Sequence, residues 1–351
     1  MLRPSYEQEV VTKVIERCGG NQLPLAFHKF WGEEMGEGFY EDNKLELNKI
    51  DQNIPDDVSV TTYSEPIWDS TTGDPNFRWA YSESRREEQE DKPTDATVLL
   101  DDWSDLDRYL ASMPKPEEQK HLIDSLEKDA EKKQNKYLLG HWWFCFFERL
   151  WSIRGMSNLM KDFYNHPKKV KKLTEAILEH HKTVVQLFAQ MGVDGIFTSD
   201  DFGGQNNMLI NPEIWRDIFK PVYRELINEV HDLGMHFWLH SCGHITEILE
   251  DLIELGVDVI HPIQAGTMDR ELVADNYGDN ITFLVGVDVQ QMPNWSVEET
   301  RNRVRKIIKT FNSSHGGLML SAGNAFLPGT PIENVRAFLE EATIKGAKTS
   351  M

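Results

Sequence analysis

The triplet His240-Ser241-Cys242 follows a short apolar run, Met235 to Leu239. In an extended chain, side chains two apart share a face, so His240 and Cys242 can present an imidazole nitrogen and a thiolate sulfur to one metal ion. Zinc takes those donors, and a zinc site needs at least three protein ligands. Further candidates follow other apolar runs: Glu148, His261, Asp288 and Asn324. The first three are ordinary zinc ligands and the amide of Asn324 is a poor one. The plainer alternative is a hydrogen-bonded histidine beside a small buried thiol.

Asp200-Asp201 follows the run Gly195 to Thr198. Adjacent carboxylates can share a proton or grip a cationic or hydroxyl-bearing substrate. Alternatively one of them caps the next turn through backbone N–H groups. Gln205, Gln264 after His261-Pro262, Gln290 after Asp288, and Ser321 occupy similar positions beyond strand-sized runs. The stretch His141-Trp142-Trp143 and Phe144 to Phe147 reads as core, or as an aromatic wall for a planar ligand. His180-His181 lies in a Lys-rich amphipathic helix and reads as an exposed face without a role.

These residues need elements that bring them to one rim. Strand-sized runs occur at Leu138 to Phe147, Gly195 to Thr198, Met235 to Leu239, Val257 to Ile260, Ile281 to Val287 and Gly317 to Leu320. Helices punctuate them. Asn211-Pro212 is a helix start, and Ser296 to Glu299 and Thr330 to Glu333 have the form of capping boxes. Alternating strands and helices predict parallel βα units. Two further strands, near Leu23 to Phe27 and Ala96 to Leu100, would complete a single (β/α)8 TIM barrel, with its site at the strand C-termini. A doubly wound sheet is the alternative, but no Gly-x-Gly-x-x-Gly turn or Walker-type loop is present. Residues 1–351 are expected to form one domain, irregular over 1–136 and regular over 137–351.

Apolar residues make up 40% of the chain and charged residues 27%, enough for a large core under an ordinary soluble surface. With 37 Lys and Arg against 58 Asp and Glu, the formal net charge is −21. That field repels phosphate backbones and anionic lipid, so neither nucleic acid nor membrane is an expected partner. The runs Glu83 to Lys92 and Pro114 to Lys136 read as solvated faces or loops. Cys18, Cys145 and Cys242 are too few and scattered for a disulfide framework, and no signal-peptide or membrane-spanning pattern is present. A cytoplasmic location is expected.

The ordered set Glu148-Arg149, Arg154-Gly155, Asn158-Leu159, Asp200 to Gln205, Asn211-Pro212-Glu213, His240 to Gly243, Gly286-Val287-Asp288, Gly323 and Pro328 to Val335 resembles the uroporphyrinogen decarboxylase superfamily. The resemblance runs from about Tyr137 to the C-terminus and implies a single barrel. Decarboxylases of the superfamily carry an arginine-rich N-terminal segment and a glycine-flanked C-terminal histidine. Here the corresponding stretches are Pro24 to Trp31, without paired arginines, and Asn324. Bidentate arginine is the usual carboxylate partner, so a tetrapyrrole octacarboxylate is disfavoured.

The other branch, corrinoid-dependent methyltransferases, binds zinc through an H-x-C pair and a later cysteine. His240 and Cys242 match the pair, whereas the later position again falls on Asn324. The resemblance therefore implies methyl transfer between a corrinoid, supplied by a partner protein, and a small-molecule donor or acceptor. Its zinc would be held by Glu148, His240 and Cys242. Asp201, His240 and Cys242 would be catalytic, and Asp200, Gln205, His261, Gln264, Asp288 and Asn324 would bind substrate. The corrinoid would lie over the rim bearing Trp142 or Trp143. The alternatives are a carboxy-lyase acting on a smaller carboxylated substrate, with Asp200 or Asp201 stabilising a developing cation, and a non-catalytic ligand-binding barrel.

Overall fold

Alternating apolar residues along each strand build one continuous sheet in the computed structural model of the protein. The structure describes residues 6–18, 22–26, 56–63, 98–113, 115–131, 135–313, 315–323, 326–327 and 329–348. The strands are β1 Val58–Thr62, β2 Tyr137–Trp142, β3 Gly195–Ser199, β4 His236–His240, β5 Val259–His261, β6 Thr282–Gly286 and β7 Leu318–Ser321. All neighbouring pairs are parallel, in the order β1 to β7. The sheet curls, and the segment 22–26 joins its two edges. Ala26 N–H donates to the Leu320 carbonyl, Leu320 N–H to that of Pro24, and Asp57 N–H, just before β1, to that of Leu25.

The strand expected near Leu23 to Phe27 is thus a single bridge between Leu25 and Leu320, with Phe27 outside the described residues. The one expected near Ala96 to Leu100 is not a strand where it is described. Leu99 and Leu100 donate to the Ile153 carbonyl at a helix end instead. The irregular first third supplies β1, which weak periodicity concealed. The run Glu83 to Lys92 lies outside the described residues.

Helices α1 Gln8–Ile15, α2 Leu106–Ala111 and α3 Lys120–Ala130 precede β2. After it come α4 Phe147–Arg154, α5 Met156–Asn165, α6 Pro167–Gln190, α7 Pro212–Asp232, α8 Thr246–Leu255, α9 Arg270–Tyr277, α10 Val297–Phe311 and α11 Ile332–Lys348. None of the described helices is long and apolar enough to cross a membrane. Asn211 caps α7 by accepting from Glu213 N–H, and Ser296 caps α10 through Glu299 N–H. The Thr330 hydroxyl instead donates back to the Leu327 carbonyl.

Inward-facing Tyr137, Leu139, Phe197, Trp238, Val259, Leu284 and Met319 fill the interior of the curl, and Val11, Val14 and Ile15 of α1 join the same cluster. Val14 and Ile15 accept from Gly317 N–H and Thr282 Oγ1, so α1 closes the end remote from the strand C-termini. Outward residues pack against the helices. Contrary to the expected exposed face, His181 is fully buried and His180 is nearly so. The spacing Val170, Leu173, Ile177, His181, Val184, Phe188 puts His181 on the apolar stripe of α6. Its ring lies 5.1 Å from that of Trp142, and its Nε2 meets the Cys145 carbonyl at 2.8 Å. Trp142 is therefore outward core, and the aromatic run breaks after it into a loop and α4.

The motif residue Arg154 also has a packing role. It pairs with Asp162 at 2.8 Å, with both side chains buried, and its guanidinium lies 4.3 Å from the Trp103 ring. Trp103 Nε1 donates to Asp162, which pins the chain preceding α2 onto α4 and α5.

Candidate active site

Strand parity selects the residues at the C-terminal mouth of the curl. On each strand, the side chain two beyond the last inward apolar residue points to the same side: His141 after Leu139, Ser199 after Phe197, His240 after Trp238, His261 after Val259 and Ser321 after Met319. Register aligns them, with Ser199 opposite His240 and His240 opposite His261.

One step beyond Ser199 and His240 lie Asp201 and Cys242. Asp201 Oδ1 accepts from Cys242 N–H at 2.6 Å and lies 3.4 Å from His240 Nε2. Cys242 Sγ is 3.3 Å from the same Nε2. Carboxylate, imidazole and thiol donor atoms thus fall within 4.8 Å of one another. Asp201 and Cys242 keep partial solvent access while His240 is buried.

The two loops touch backbone to backbone. A Cβ on Gly243, which has φ +81°, would stand 2.2 Å from the Gly203 carbonyl oxygen, and one on Gly203 would stand 2.4 Å from that of Cys242. Only glycine permits that approach and that backbone conformation together. Gln264 Oε1 accepts from Gly243 N–H at 2.8 Å, fixing the loop from the β5 side.

His240 Nδ1 meets His261 Nδ1 at 2.7 Å, and His261 Nε2 lies 3.3 Å from Ser321 Oγ. Burial lowers both histidine pKa values, partly countered at His240 by Asp201 and reinforced at His261 by His240. Two neutral rings make that contact when one Nδ1 carries the proton. Assigning it to His240 leaves the His240 Nε2 lone pair facing Asp201 and Cys242, and lets His261 Nε2–H donate to Ser321.

Asp200 faces away. Its carboxylate is fully buried and accepts from Phe146, Phe147 and Glu148 N–H and from the Tyr223 hydroxyl, capping the start of α4. Burial raises its pKa to about 6 against those hydrogen bonds. These contacts remove Asp200 from direct reach of a substrate, contrary to expectation. Glu148 is also displaced from its expected role. Its Oε2 accepts from Ser199 Oγ at 2.5 Å, and burial, then the Asp201 and Asp200 charges, push its pKa well up. Asp201, not Glu148, completes the donor trio.

Gln205 is exposed and donates to the Gly266 carbonyl at 3.3 Å. Asp288 accepts from Gln290 and Gln291 N–H, capping its own turn outside the trio. Asn324 lies outside the described residues. Trp143 stands over the mouth, its ring 6.3 Å from that of His240 and 4.3 Å from that of His141.

His141, within the aromatic strand, shares the parity of Tyr137 and Leu139 and so points inward. Its Nδ1 meets Thr62 Oγ1 at 3.3 Å, and its buried Nε2 has no partner among the described residues. Burial, then His240, lowers its pKa to about 3.

The model of the family described as Uroporphyrinogen decarboxylase (URO-D) matches residues 92–343. The chain belongs to that family. Among solved structures, a methyltransferase from Methanosarcina mazei is similar at 14% identity and TM-score 0.52, over 63% of this chain and 63% of its own length. A B12-independent methionine synthase from Shewanella sp. W3-18-1 is similar at 15% identity and TM-score 0.39, over 64% of this chain and 65% of that one. The IOLI protein with a bound zinc atom is similar at 14% identity and TM-score 0.38, over 88% and 91%. The likeness to the methyltransferase is one of fold, and the chain spans less than two thirds of that protein. No curated protein matches the chain in sequence. For a uroporphyrinogen decarboxylase family member, the trio lies where barrel enzymes place their chemistry, at the C-terminal ends of the strands.

Proposed function

We propose that the chain is a methyltransferase of this family, moving a methyl group between a corrinoid carried by a partner protein and a small-molecule donor or acceptor. Asp201, His240 and Cys242 would hold a zinc ion. The observation that carries this reading is the convergence of one oxygen, one nitrogen and one sulfur donor within 4.8 Å at the strand ends. The residues fit the metal. Ligand bonds of ~2.1 and ~2.3 Å at a tetrahedral angle put donors about 3.4–3.6 Å apart, close to the 3.3 and 3.4 Å separations here.

Three protein ligands leave a coordination position open, as in catalytic zinc sites. When bound, zinc supplies activation of an acceptor thiol by lowering its pKa. The chain supplies the orientation. Asp201 fixes Cys242 through its backbone N–H, His261 holds the His240 ring with its proton at Nδ1, and Gln264 anchors Gly243. Trp143 offers a flat apolar surface at the mouth on which a corrinoid could rest. The decarboxylase alternative loses Asp200, whose carboxylate is occupied by α4 and Tyr223.

The test is to incubate the purified protein with methylcobalamin and a panel of thiol and pterin acceptors, and separately with uroporphyrinogen. The expected result is an acceptor-dependent change in the cobalt spectrum that Cys242→Ser abolishes. Decarboxylation of uroporphyrinogen without methyl transfer would reverse the reading.

A further inference from the structure

A cleft of about 610 Å³ lies between the start of α9, the loop after β6 and α10, apart from His240 and Cys242. Small-ligand sites have volumes of about 300–1,000 Å³. Val287, Ile307 and Phe311 give the cleft apolar lining, and Trp295 adds an aromatic wall. The Arg303 guanidinium lies 5.3 Å from the Trp295 ring centroid.

Most charges in the cleft are matched. Lys306 pairs with Glu271 at 2.8 Å and Arg303 with Glu299 at 3.2 Å. Asp269 caps α9 through Leu272 N–H, and Asp288 caps its own turn. Arg270 is different. Its Nε donates to the Ile263 carbonyl at 2.8 Å and its Nη2 to the Gly286 carbonyl at 3.0 Å. The two carbonyls hold the guanidinium in place without neutralising it; among the described residues no carboxylate pairs with it directly, and Asp288 and then Glu271 act on it as nearby charges. Burial accordingly pulls the Arg270 pKa down to about 10. Among the described residues, two of its five N–H donors are used. Arg270 lines both the cleft and a small adjoining hollow beside Gln264 and Gly323.

We infer that this cleft binds a flat organic anion, a carboxylate or a phosphate ester, with its oxygens on Arg270 and its ring against Trp295. The planar fork of arginine matches either oxyanion bidentately. The ring contributes apolar area against Trp295 and Phe311. A chain of net charge −21 repels anions at long range. Retention of an anion therefore requires fixed local donors, which the carbonyl-held guanidinium provides. This site goes beyond the methyl-transfer reading and shares no residue with the Asp201, His240 and Cys242 trio.

Isothermal titration calorimetry of the full chain with benzoate, phenyl phosphate and neutral benzamide tests it. At least one anion should bind saturably, benzamide should bind at least about tenfold more weakly, and Arg270→Gln should weaken the anion about tenfold or more. The relative strength of benzoate and phenyl phosphate separates carboxylate from phosphate recognition. Because Arg270 also ties two loops, Thr310→Trp provides a second variant, filling the cleft from α10 with Arg270 intact. It should abolish binding while the circular dichroism spectrum and melting midpoint stay unchanged. Benzamide binding as tight as the anions, no saturable binding of either anion, or anion binding that survives either substitution would overturn the inference.

Discussion

Asp201 Oδ1 accepts the backbone N–H of Cys242 at 2.6 Å, one residue pair beyond the mouth of the β3–β4 ladder. The register that sets Ser199 against His240 continues past the strand ends and sets Asp201 against Cys242. The same Asp201 oxygen lies 3.4 Å from His240 Nε2, and the Cys242 sulfur lies 3.3 Å from that nitrogen, so one carboxylate both holds the Cys242 backbone and faces the histidine. A carboxylate that positions a thiol through its backbone can also join that thiol as a ligand.

The two neighbouring aspartates should separate cleanly on mutation. Asp200→Ala strips the acceptor from three N–H groups at the start of α4 and from the Tyr223 hydroxyl. Unsatisfied buried donors put the expected loss at about 3 kcal/mol or more. Asp201→Asn, with a partly exposed side chain, should stay within about 1 kcal/mol of wild type. Urea unfolding measures both, and equal losses would contradict the division of roles.

His261 acts through His240. Removing the acceptor of the Nδ1 proton, as in His261→Phe, should weaken zinc binding about 10–100-fold. Competition against a chromophoric chelator reads this directly. An unchanged affinity would show that His261 does not orient the ligand.

A pH effect is expected outside the site. His231 Nε2 contacts Asp258 Oδ2 at 2.9 Å, and that bond raises its pKa against partial burial. Because the folded-state value is raised, the contribution is complete below the unfolded value of about 6.5 and fades as pH rises through the folded one. Solvent screening of this half-exposed pair limits it to about 0.5 kcal/mol. His231→Gln should therefore cost stability near pH ~5.5 and progressively less in alkaline buffer. A cost that grows with pH would contradict the assignment.

Six strands and the rim they present were legible in the sequence, because each apolar run from Leu138 onward ends in polar residues. Strand β1 was not, since Val58–Thr62 is short and stands among polar, irregular chain. The metal donors were half legible. His240 and Cys242 follow from alternation alone, and the same parity carried from Phe197 through Ser199 selects Asp201 over Asp200. Glu148 looked equivalent because its sequence position does not reveal that Ser199 takes its carboxylate. The burial of His181 was not legible because its lysine neighbours mask its place on the Ile177 to Phe188 stripe.

The most direct test of the central claim is metal content per chain after zinc loading and extensive dialysis, for wild type, Asp201→Asn and Cys242→Ser, with folding checked by circular dichroism. The account predicts about one zinc per wild-type chain, loss of the metal in Cys242→Ser, and weakened retention in Asp201→Asn. Stoichiometric zinc in both variants, or none in the folded wild type, would contradict it.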